Sequence, residues 1–157
     1  MNKNNSNIQN NLYKISKIVH DAHDLNKLFK NLHKIAIELF EVKNFYIALL
    51  NSDLDLLTYP YYHDIRDQAP KEKFSEGKGL THYTLKKGKS MIFNRNDYQD
   101  LADKNIIQIL GTPPHSWMGV PLKDHNKSTI GLIVIQSYRE EILFDKEDLK
   151  MMSFISE

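Results

Sequence analysis

The sequence predicts an α+β domain built around a central antiparallel sheet of about five to six strands. Two apolar runs between Ser116 and Arg139 flank a polar turn at residues 124–128, which is typical of a β-hairpin. Residues 130–135 are apolar on both faces, so this strand should be central and covered on both sides. A second hairpin and two groups of helices complete the prediction: terminal helices on one face, and short helices and loops over a pocket on the other.

Length and composition exclude several classes of protein. The 157 residues suit one domain that buries about 70% of its unfolded surface. Zero cysteines exclude disulfides and thiolate chemistry, and 21 basic against 20 acidic residues give no general attraction to nucleic acid or to an anionic membrane. No apolar run approaches the ~20 residues of a membrane span, and the start lacks the apolar core of a signal peptide. We therefore expect a cytoplasmic protein with no membrane insertion in this segment.

The amino-terminal region predicts a helix that contacts a partner. Residues 1–11 are polar and rich in asparagine, so we expect them to be disordered or a helix extension, with a single domain at 12–157. Apolar residues then recur at steps of four and three, a narrow seam that fits a partner helix. An ordinary core helix is the alternative. The seam consists of Ile8, Leu12, Ile15, Val19 and Ala22.

A second helix and a hairpin follow. Asp24 is placed to cap a helix whose apolar stripe, from Leu25 to Phe40, is wide enough to cover a sheet face. Runs at residues 45–50 and 54–63 predict the hairpin. In its later arm Tyr59 and Tyr61 are expected to share a face, while Pro60 places the strand at or near a sheet edge.

The middle of the chain is predicted to form a loop, two short helices and a short strand. Residues 64–75 are charged and contain a proline, which indicates a connection. Gly77-Lys78-Gly79 leads into a short helix that stops at Gly88, then a strand at 90–93 and a helix near 96–105. The first glycine-rich stretch is a candidate anion site, but its spacing is not that of a phosphate-binding loop, and a plain turn is favoured.

The last helix begins after Asp145, which caps it, and is still running at the end of the sequence. Its apolar residues cover more of the circumference than one sheet contact needs, so part of the helix should meet another surface. We expect it to continue into a linker or effector domain. Met151, Met152 and Ile155 are predicted to join the amino-terminal seam in a dimer interface.

Several stretches together resemble a GAF domain of the bacterial sensor type. They are FYIALL, LLTYPYY, Gly77 to Thr81, GTPPHSWMGVPL, IGLIVIQSY and FDKEDLKMMSFIS, and the resemblance covers roughly residues 12–157. It implies a ligand pocket on the loop-covered face and homodimerisation through terminal helices. It also implies a downstream effector, such as a histidine kinase of a two-component system, a cyclic di-GMP cyclase or phosphodiesterase, or a transcriptional regulator.

Departures from the family narrow the subclass. Many bilin-binding members and the methionine sulfoxide reductase members use cysteines, which this chain lacks. Cyclic-nucleotide-binding members often carry an Asn-Lys pair followed by a Phe-to-Asp-Glu pattern. Asn126-Lys127 and Phe144 to Asp148 fit, but Leu149 replaces the glutamate, so a cyclic nucleotide is not the favoured ligand.

Aromatic residues with a few polar neighbours make up the candidate ligand site. Aromatic walls with polar tips suit a planar or partly apolar small molecule. The alternative is that these side chains simply fill the interface between sheet and helices. The candidate residues are Tyr46, Tyr59, Tyr61, Phe74, Leu80, Tyr83, Thr84, Met91, Trp117 and Gln136.

Catalytic and metal-binding patterns are weak. His20 and His23 lie three apart near a helix end, but solvated polar residues explain this pattern better than a metal site does. His63, Asp64 and Asp67 could be ligands on a loop, yet nothing in the sequence fixes their geometry. No nucleophile, base and acid pattern emerges, so we predict no enzyme, no metal and no identified cofactor. The sequence favours a regulatory, small-molecule-sensing input domain; the alternative is a ligand-free dimerisation and signal-relay module.

Overall fold

The computed structural model describes residues 24–71 and 73–156, without the side chain of Ile155. The predicted seam from Ile8 to Ala22, the predicted disorder at 1–11, and His20 and His23 lie outside these residues. The elements are α1 (Leu25–Phe40), β1 (Asn44–Asn51), β2 (Leu56–His63), α2 (Leu80–Lys87), β3 (Met91–Asn94), α3 (Arg95–Asp103), β4 (Ser116–Lys123), β5 (Thr129–Ser137) and α4 (Lys146–Ser156). None of the helices in these ranges is long and apolar enough to cross a membrane.

The described strands form one five-stranded antiparallel sheet in the order β2-β1-β5-β4-β3. The α+β prediction is confirmed, and β5 is the central strand that its two apolar faces predicted. It pairs with β1 on one side and β4 on the other. β2 lies at an edge of the sheet, which is where Pro60 placed it, because proline cannot donate to a further strand.

One face of the sheet is covered by α1 and α4. Asp24 caps α1 as predicted, since its carboxylate accepts hydrogen bonds from the amides of Asn26 and Lys27. Asp145 does the same for α4, accepting from the amides of Glu147 and Asp148. The apolar faces of both helices pack on alternate residues of β1, β4 and β5 in a single core.

The inner face of α4 corrects one prediction. Met152 is fully buried in the core between α4 and the sheet, so it offers no surface to a partner chain and the assignment to a dimer interface is wrong. Met151 is half-buried against the same core. Phe154 points outward, with 53% of its surface exposed. The apolar residues of α4 therefore divide between the domain's own core and its surface.

The other face of the sheet is covered by α2, α3 and the segments at 64–71 and 104–115. α2 ends at Gly88, whose φ of 62° is the left-handed conformation predicted for its stop. Asn94 caps the start of α3: its side-chain oxygen accepts from the amide of Asp97, and its own amide donates to the Asp97 carboxylate. These short elements leave a gap over the sheet.

Candidate functional site

A cavity of about 130 Å³, partly open to solvent, lies between the sheet and the segments that cover it. Its floor comes from β1, β2, β4 and β5, and its roof from the start of α2, from α3 and from the two covering segments. The lining residues are Tyr46, Tyr59, Tyr62, Asp67, Gln68, Pro70, Gly79, Leu80, Thr81, His82, Tyr98, Leu110, Gly111, Thr112, Pro114, Trp117 and Gln136.

Three tyrosines form one wall of this cavity. The rings of Tyr46 and Tyr62 stack with their centroids 5.0 Å apart, and Tyr59 meets Tyr62 edge-on at 5.7 Å. Tyr59 also meets Tyr46 edge-on at 6.0 Å. Such stacked and edge-on contacts are favourable arrangements of aromatic rings, so the three tyrosines pack as one wall.

A chain of hydrogen bonds crosses the floor. The indole of Trp117 donates to the hydroxyl of Tyr46 at 3.2 Å, and this hydroxyl lies 2.9 Å from Oγ1 of Thr81. The Tyr46 oxygen accepts from the indole, and either hydroxyl can donate in its bond with Thr81. Burial raises the pKa of Tyr46 to about 12, which keeps the hydroxyl protonated. The chain thus joins β1, β4 and α2.

Asp64 fastens one end of the covering segment 64–71 to the centre of the sheet. Its carboxylate accepts hydrogen bonds from Nε2 of Gln136 at 2.7 Å and from the hydroxyl of Tyr138 at 3.0 Å. It also accepts from the amides of Arg66 and Asp67, which shapes the turn after β2. One carboxylate therefore connects the roof of the cavity to β5 and the residue that follows it.

Asp67 fastens the same segment to the second roof segment. Its carboxylate accepts from the amide of Thr112 at 2.8 Å and from the Thr112 hydroxyl at 3.1 Å. Gly111, with a φ of 68°, makes this approach feasible, because a Cβ there would lie 2.6 Å from Oδ2 of Asp67. The Asp67 carboxylate thus joins the two segments of the roof.

His82 closes the cavity beneath the start of α2. The imidazole is buried and stacks on the ring of Phe74 at 5.7 Å. Burial, with a smaller effect of the Lys86 charge, lowers the pKa of His82 to about 4, so the ring is neutral near pH 7. A Cβ at Gly77 would overlap this imidazole, so the glycine serves close packing, and the favoured interpretation of Gly77-Lys78-Gly79 as a turn agrees with this.

Half of the predicted ligand residues line the cavity: Tyr46, Tyr59, Leu80, Trp117 and Gln136. The others lie outside the lining. Tyr83 packs edge-on against Phe93, and the Thr84 hydroxyl lies 3.8 Å from the sulfur of Met91. These residues and Phe74 fill the interface between the sheet and the helices, which was the alternative interpretation.

Tyr61 lies on the opposite face of the sheet, so the prediction that it shares a face with Tyr59 is wrong. Between β1 and β2 the pairing moves from Ile47–Tyr61 to Leu49–Thr58, so two residues of β2 oppose one of β1. This β-bulge contains Pro60 and reverses the alternation of side chains beyond it. Tyr61 consequently packs in the core under α1.

The bulge brings Tyr62 into the cavity, and sequence reasoning missed it. Proline within a strand pattern was the signal that could have found it, because proline in sheets is confined to edges, first positions and bulges. Asp67, Gln68, Tyr98 and Thr112 were also missed as cavity residues, since all lie in segments or short helices whose position over the sheet depends on tertiary contacts. The turn that holds Asn126 and Lys127 contributes nothing to the lining.

No group of three or more His, Asp or Glu side chains within residues 24–71 and 73–156 is placed to hold a metal ion. His63 lies against His33 instead, with ring centroids 5.0 Å apart. The described cavity presents aromatic faces, hydroxyls, amides, one carboxylate and the imidazole of His82. It is suited to holding a small molecule.

Comparison with known proteins agrees with this architecture. Residues 22–157 match the family model for the GAF domain. Free methionine-R-sulfoxide reductase from Neisseria meningitidis, solved with its substrate, has a TM-score of 0.74 at 18% identity, over 99% of this chain and 87% of its own. The GAF domain of a phosphoenolpyruvate-protein phosphotransferase from Coxiella burnetii has a TM-score of 0.70 at 14% identity, over 96% and 89%.

A third similar structure is the GAF domain of a two-component sensor histidine kinase from Bacillus halodurans. Its TM-score is 0.61 at 16% identity, over 86% of this chain and 90% of its own. No curated protein sequence matches the chain.

Proposed function

The chain belongs to the GAF domain family of small-molecule-sensing and regulatory domains, and we propose that it binds a small ligand in the cavity beneath residues 64–71 and passes that event to an effector. The effector classes that fit are those named for the family resemblance: a histidine kinase, a cyclic di-GMP cyclase or phosphodiesterase, or a transcriptional regulator. This role is regulatory, not catalytic.

One observation carries the proposal: two carboxylates hold the roof segment 64–71, one to the sheet and one to the second roof segment. Asp64 binds Gln136, and Asp67 binds Thr112, while Gln136 and Thr112 both line the cavity. A ligand that touches these partners changes the free energy of the same bonds that hold the roof. Binding and roof order are therefore coupled, provided that the ligand binds one arrangement more tightly than the other.

A short path leads from the cavity to α4. Trp117 lines the cavity, and its neighbour Ser116 faces the other side of β4, where its hydroxyl accepts the amide hydrogen of Phe144 at 3.0 Å. Phe144 precedes α4 and meets Phe40, the last residue of α1, edge-on at 6.2 Å. A shift of β4 at Trp117 would thus reach the start of α4 and the end of α1, the two helices proposed to carry the signal.

A metabolite panel tests ligand binding. Thermal melting and calorimetry identify hits, and amide hydrogen exchange should show slower exchange of residues 64–85 with each hit. Leu110→Phe narrows the cavity, whereas Ile106→Phe makes a similar change at an exposed residue outside the lining, so the first should weaken binding several-fold and the second should not. If no compound of a broad panel binds, the result would contradict the proposal and favour the ligand-free relay module.

Dimerisation through the terminal helices is the second part of the proposal. The exposed ring of Phe154 on α4 and the apolar seam at residues 8–22 of the sequence support it. Sedimentation of the parent chain should show a dimer that Val19→Glu or Phe154→Glu dissociates. Leu143→Glu, at an exposed residue before α4, is the matched control. A parent that sediments as a monomer would argue against this interface.

A further inference from the structure

We propose that the cavity selects a small organic cation, an alkylammonium or quaternary ammonium group, which Asp67 and the surrounding aromatic rings would bind together. The inference rests on the proposed function, because it assigns a ligand class to the same site. Two features carry it: the sign of the charge at the cavity and the aromatic character of its walls.

The charge of the lining is negative. Among the lining residues in the described part of the chain, Asp67 carries the one formal charge, since His82 is neutral near pH 7. Two cationic side chains of the covering elements contact rings outside the lining: the guanidinium of Arg66 lies 4.4 Å from the ring centroid of Tyr138, and the Lys86 ammonium lies 5.7 Å from that of Phe74. An anionic ligand would enter against this charge without a cationic side chain to receive it.

Asp67 retains the capacity to accept a further hydrogen bond. A carboxylate offers about four lone-pair sites. Thr112 uses one on each oxygen, and the hydroxyl of Tyr138 lies at a longer 3.3 Å from Oδ2. An ammonium group at the rim would complete this set while its alkyl part enters the cavity.

The walls complement a cation as well. Five aromatic side chains border the described cavity, and the negative face of such a ring attracts an ammonium group. They are Tyr46, Tyr59, Tyr62, Tyr98 and Trp117. Burial, with smaller effects of Tyr46 and of the negative charges of Asp64 and Asp67, raises the pKa of Tyr62 on the aromatic wall.

The size of the cavity bounds the ligand. At about 130 Å³ it is comparable to an apolar protein cavity of roughly 150 Å³ that holds benzene. The buried part of the ligand should therefore have about six non-hydrogen atoms. Tetramethylammonium and isobutylammonium meet this limit, and isobutanol and isobutyrate are probes of similar shape with neutral and negative charge.

The chain contains its own reporter. Trp117 is the one tryptophan in the sequence and lines the cavity, so its indole N–H gives a single NMR signal at the site. Titration of the chain at constant ionic strength should show that both cations bind at least about tenfold more tightly than isobutanol, and that isobutyrate does not bind.

Two substitutions test the charge. Asp67→Asn keeps an oxygen for Thr112 but removes the charge. It should weaken cation binding at least about fivefold and leave the affinity for isobutanol unchanged. Gln68→Lys adds a positive charge at an exposed lining residue, so it carries little risk to folding and should also weaken the cations. Asp53→Asn, the same charge change in the β1–β2 turn, should leave all affinities unchanged.

The inference is overturned if isobutanol or isobutyrate binds as tightly as the cations, if no cation moves the Trp117 signal, or if Gln68→Lys leaves cation affinity unchanged. Binding of isobutanol or isobutyrate alone at Trp117 would refute the ligand class and still support a ligand-binding cavity. If neither these probes nor any compound of the metabolite panel binds, the proposed function is refuted as well.

Discussion

The indole N–H of Trp117 donates to the hydroxyl of Tyr46 across 3.2 Å and so ties β4 to β1 beneath the cavity, although β5 lies between the two strands. The bond is buried, and the Tyr46 oxygen is its acceptor. A buried donor that loses its acceptor is more costly than the bond itself is stabilising. Loss of this hydrogen bond should therefore lower the stability of the protein measurably.

Tyr46→Phe should therefore lower the free energy of unfolding by about 1–3 kcal/mol, because the Trp117 indole loses its acceptor and Thr81 loses a partner. Urea unfolding measures the change. Tyr62→Phe is the matched control, since Tyr62 lines the same cavity but its hydroxyl is outside this chain of bonds. Equal effects of the two substitutions would contradict the arrangement.

The bulge in β2 gives a second prediction. The hydroxyl of Tyr61 lies 2.8 Å from Nδ1 of His33, whose Nε2 bonds the carbonyl of Lys43. In a double-mutant cycle, Tyr61→Phe and His33→Leu should show a coupling of about 1 kcal/mol in the free energy of unfolding. Tyr59→Phe should be additive with His33→Leu, because Tyr59 faces the cavity. If His33 were coupled to Tyr59 instead, the result would indicate a regular register without the bulge.

The bulge also limits what the sequence pattern can predict about the faces of β2. Alternation of side chains predicts faces only as long as the strand is regular, and the aromatic candidates Tyr46 and Tyr59 do line the cavity. Beyond Pro60 one extra residue inverts the alternation, so Tyr61 and Tyr62 exchange roles. The fold itself was predictable, because caps such as Asp24 and the two-sided burial of β5 are local signals.

The roof of the cavity was not predictable in the same way. Asp64 bonds Gln136, 72 positions away, and Asp67 bonds Thr112, 45 positions away. Both carboxylates lie in a charged, proline-containing stretch that has no periodicity, so the pattern indicated a connection and nothing about its contacts. Their place at the cavity follows from how the sheet brings distant segments together.

Stability should depend on pH through His82. Because its pKa is lowered from 6.5 to about 4 by burial, the unfolded chain binds the proton first as the pH falls. Stability present above pH 6.5 is therefore lost between about pH 6.5 and 4, with a contribution of about 1.4 kcal/mol per pH unit. Urea unfolding across this window measures the slope.

His82→Gln should flatten that slope by about one proton, while His125→Gln, at an exposed turn, should leave it unchanged. The pKa of His33 is also lowered by burial, so part of the slope should persist in the His82 variant. A His82 variant with the parent's slope would mean that His82 titrates normally in the folded protein.

The anchoring of the roof by Asp64 predicts local opening. Asp64→Ala removes the acceptor for Gln136 and Tyr138, so amide hydrogen exchange in residues 64–71 should accelerate about tenfold or more. Asp124→Ala removes a comparable carboxylate that bonds the amides of its own turn between β4 and β5, and should accelerate exchange in that turn alone. Unchanged exchange at 64–71 would show that other contacts hold the roof.

The bond between Ser116 and Phe144 tests the path from the cavity to α4. Ser116→Ala leaves the buried Phe144 amide without its acceptor, so it should lower the free energy of unfolding by about 1–3 kcal/mol and accelerate exchange of that amide. Ser137→Ala is the matched control: its hydroxyl accepts from the amide of Arg139 at the end of β5, so it should leave exchange at Phe144 unchanged. If both variants released Phe144 equally, the start of α4 would be responding to global loosening. Release by Ser116→Ala alone would show that β4, which carries Trp117 on its cavity face, holds the start of α4 directly.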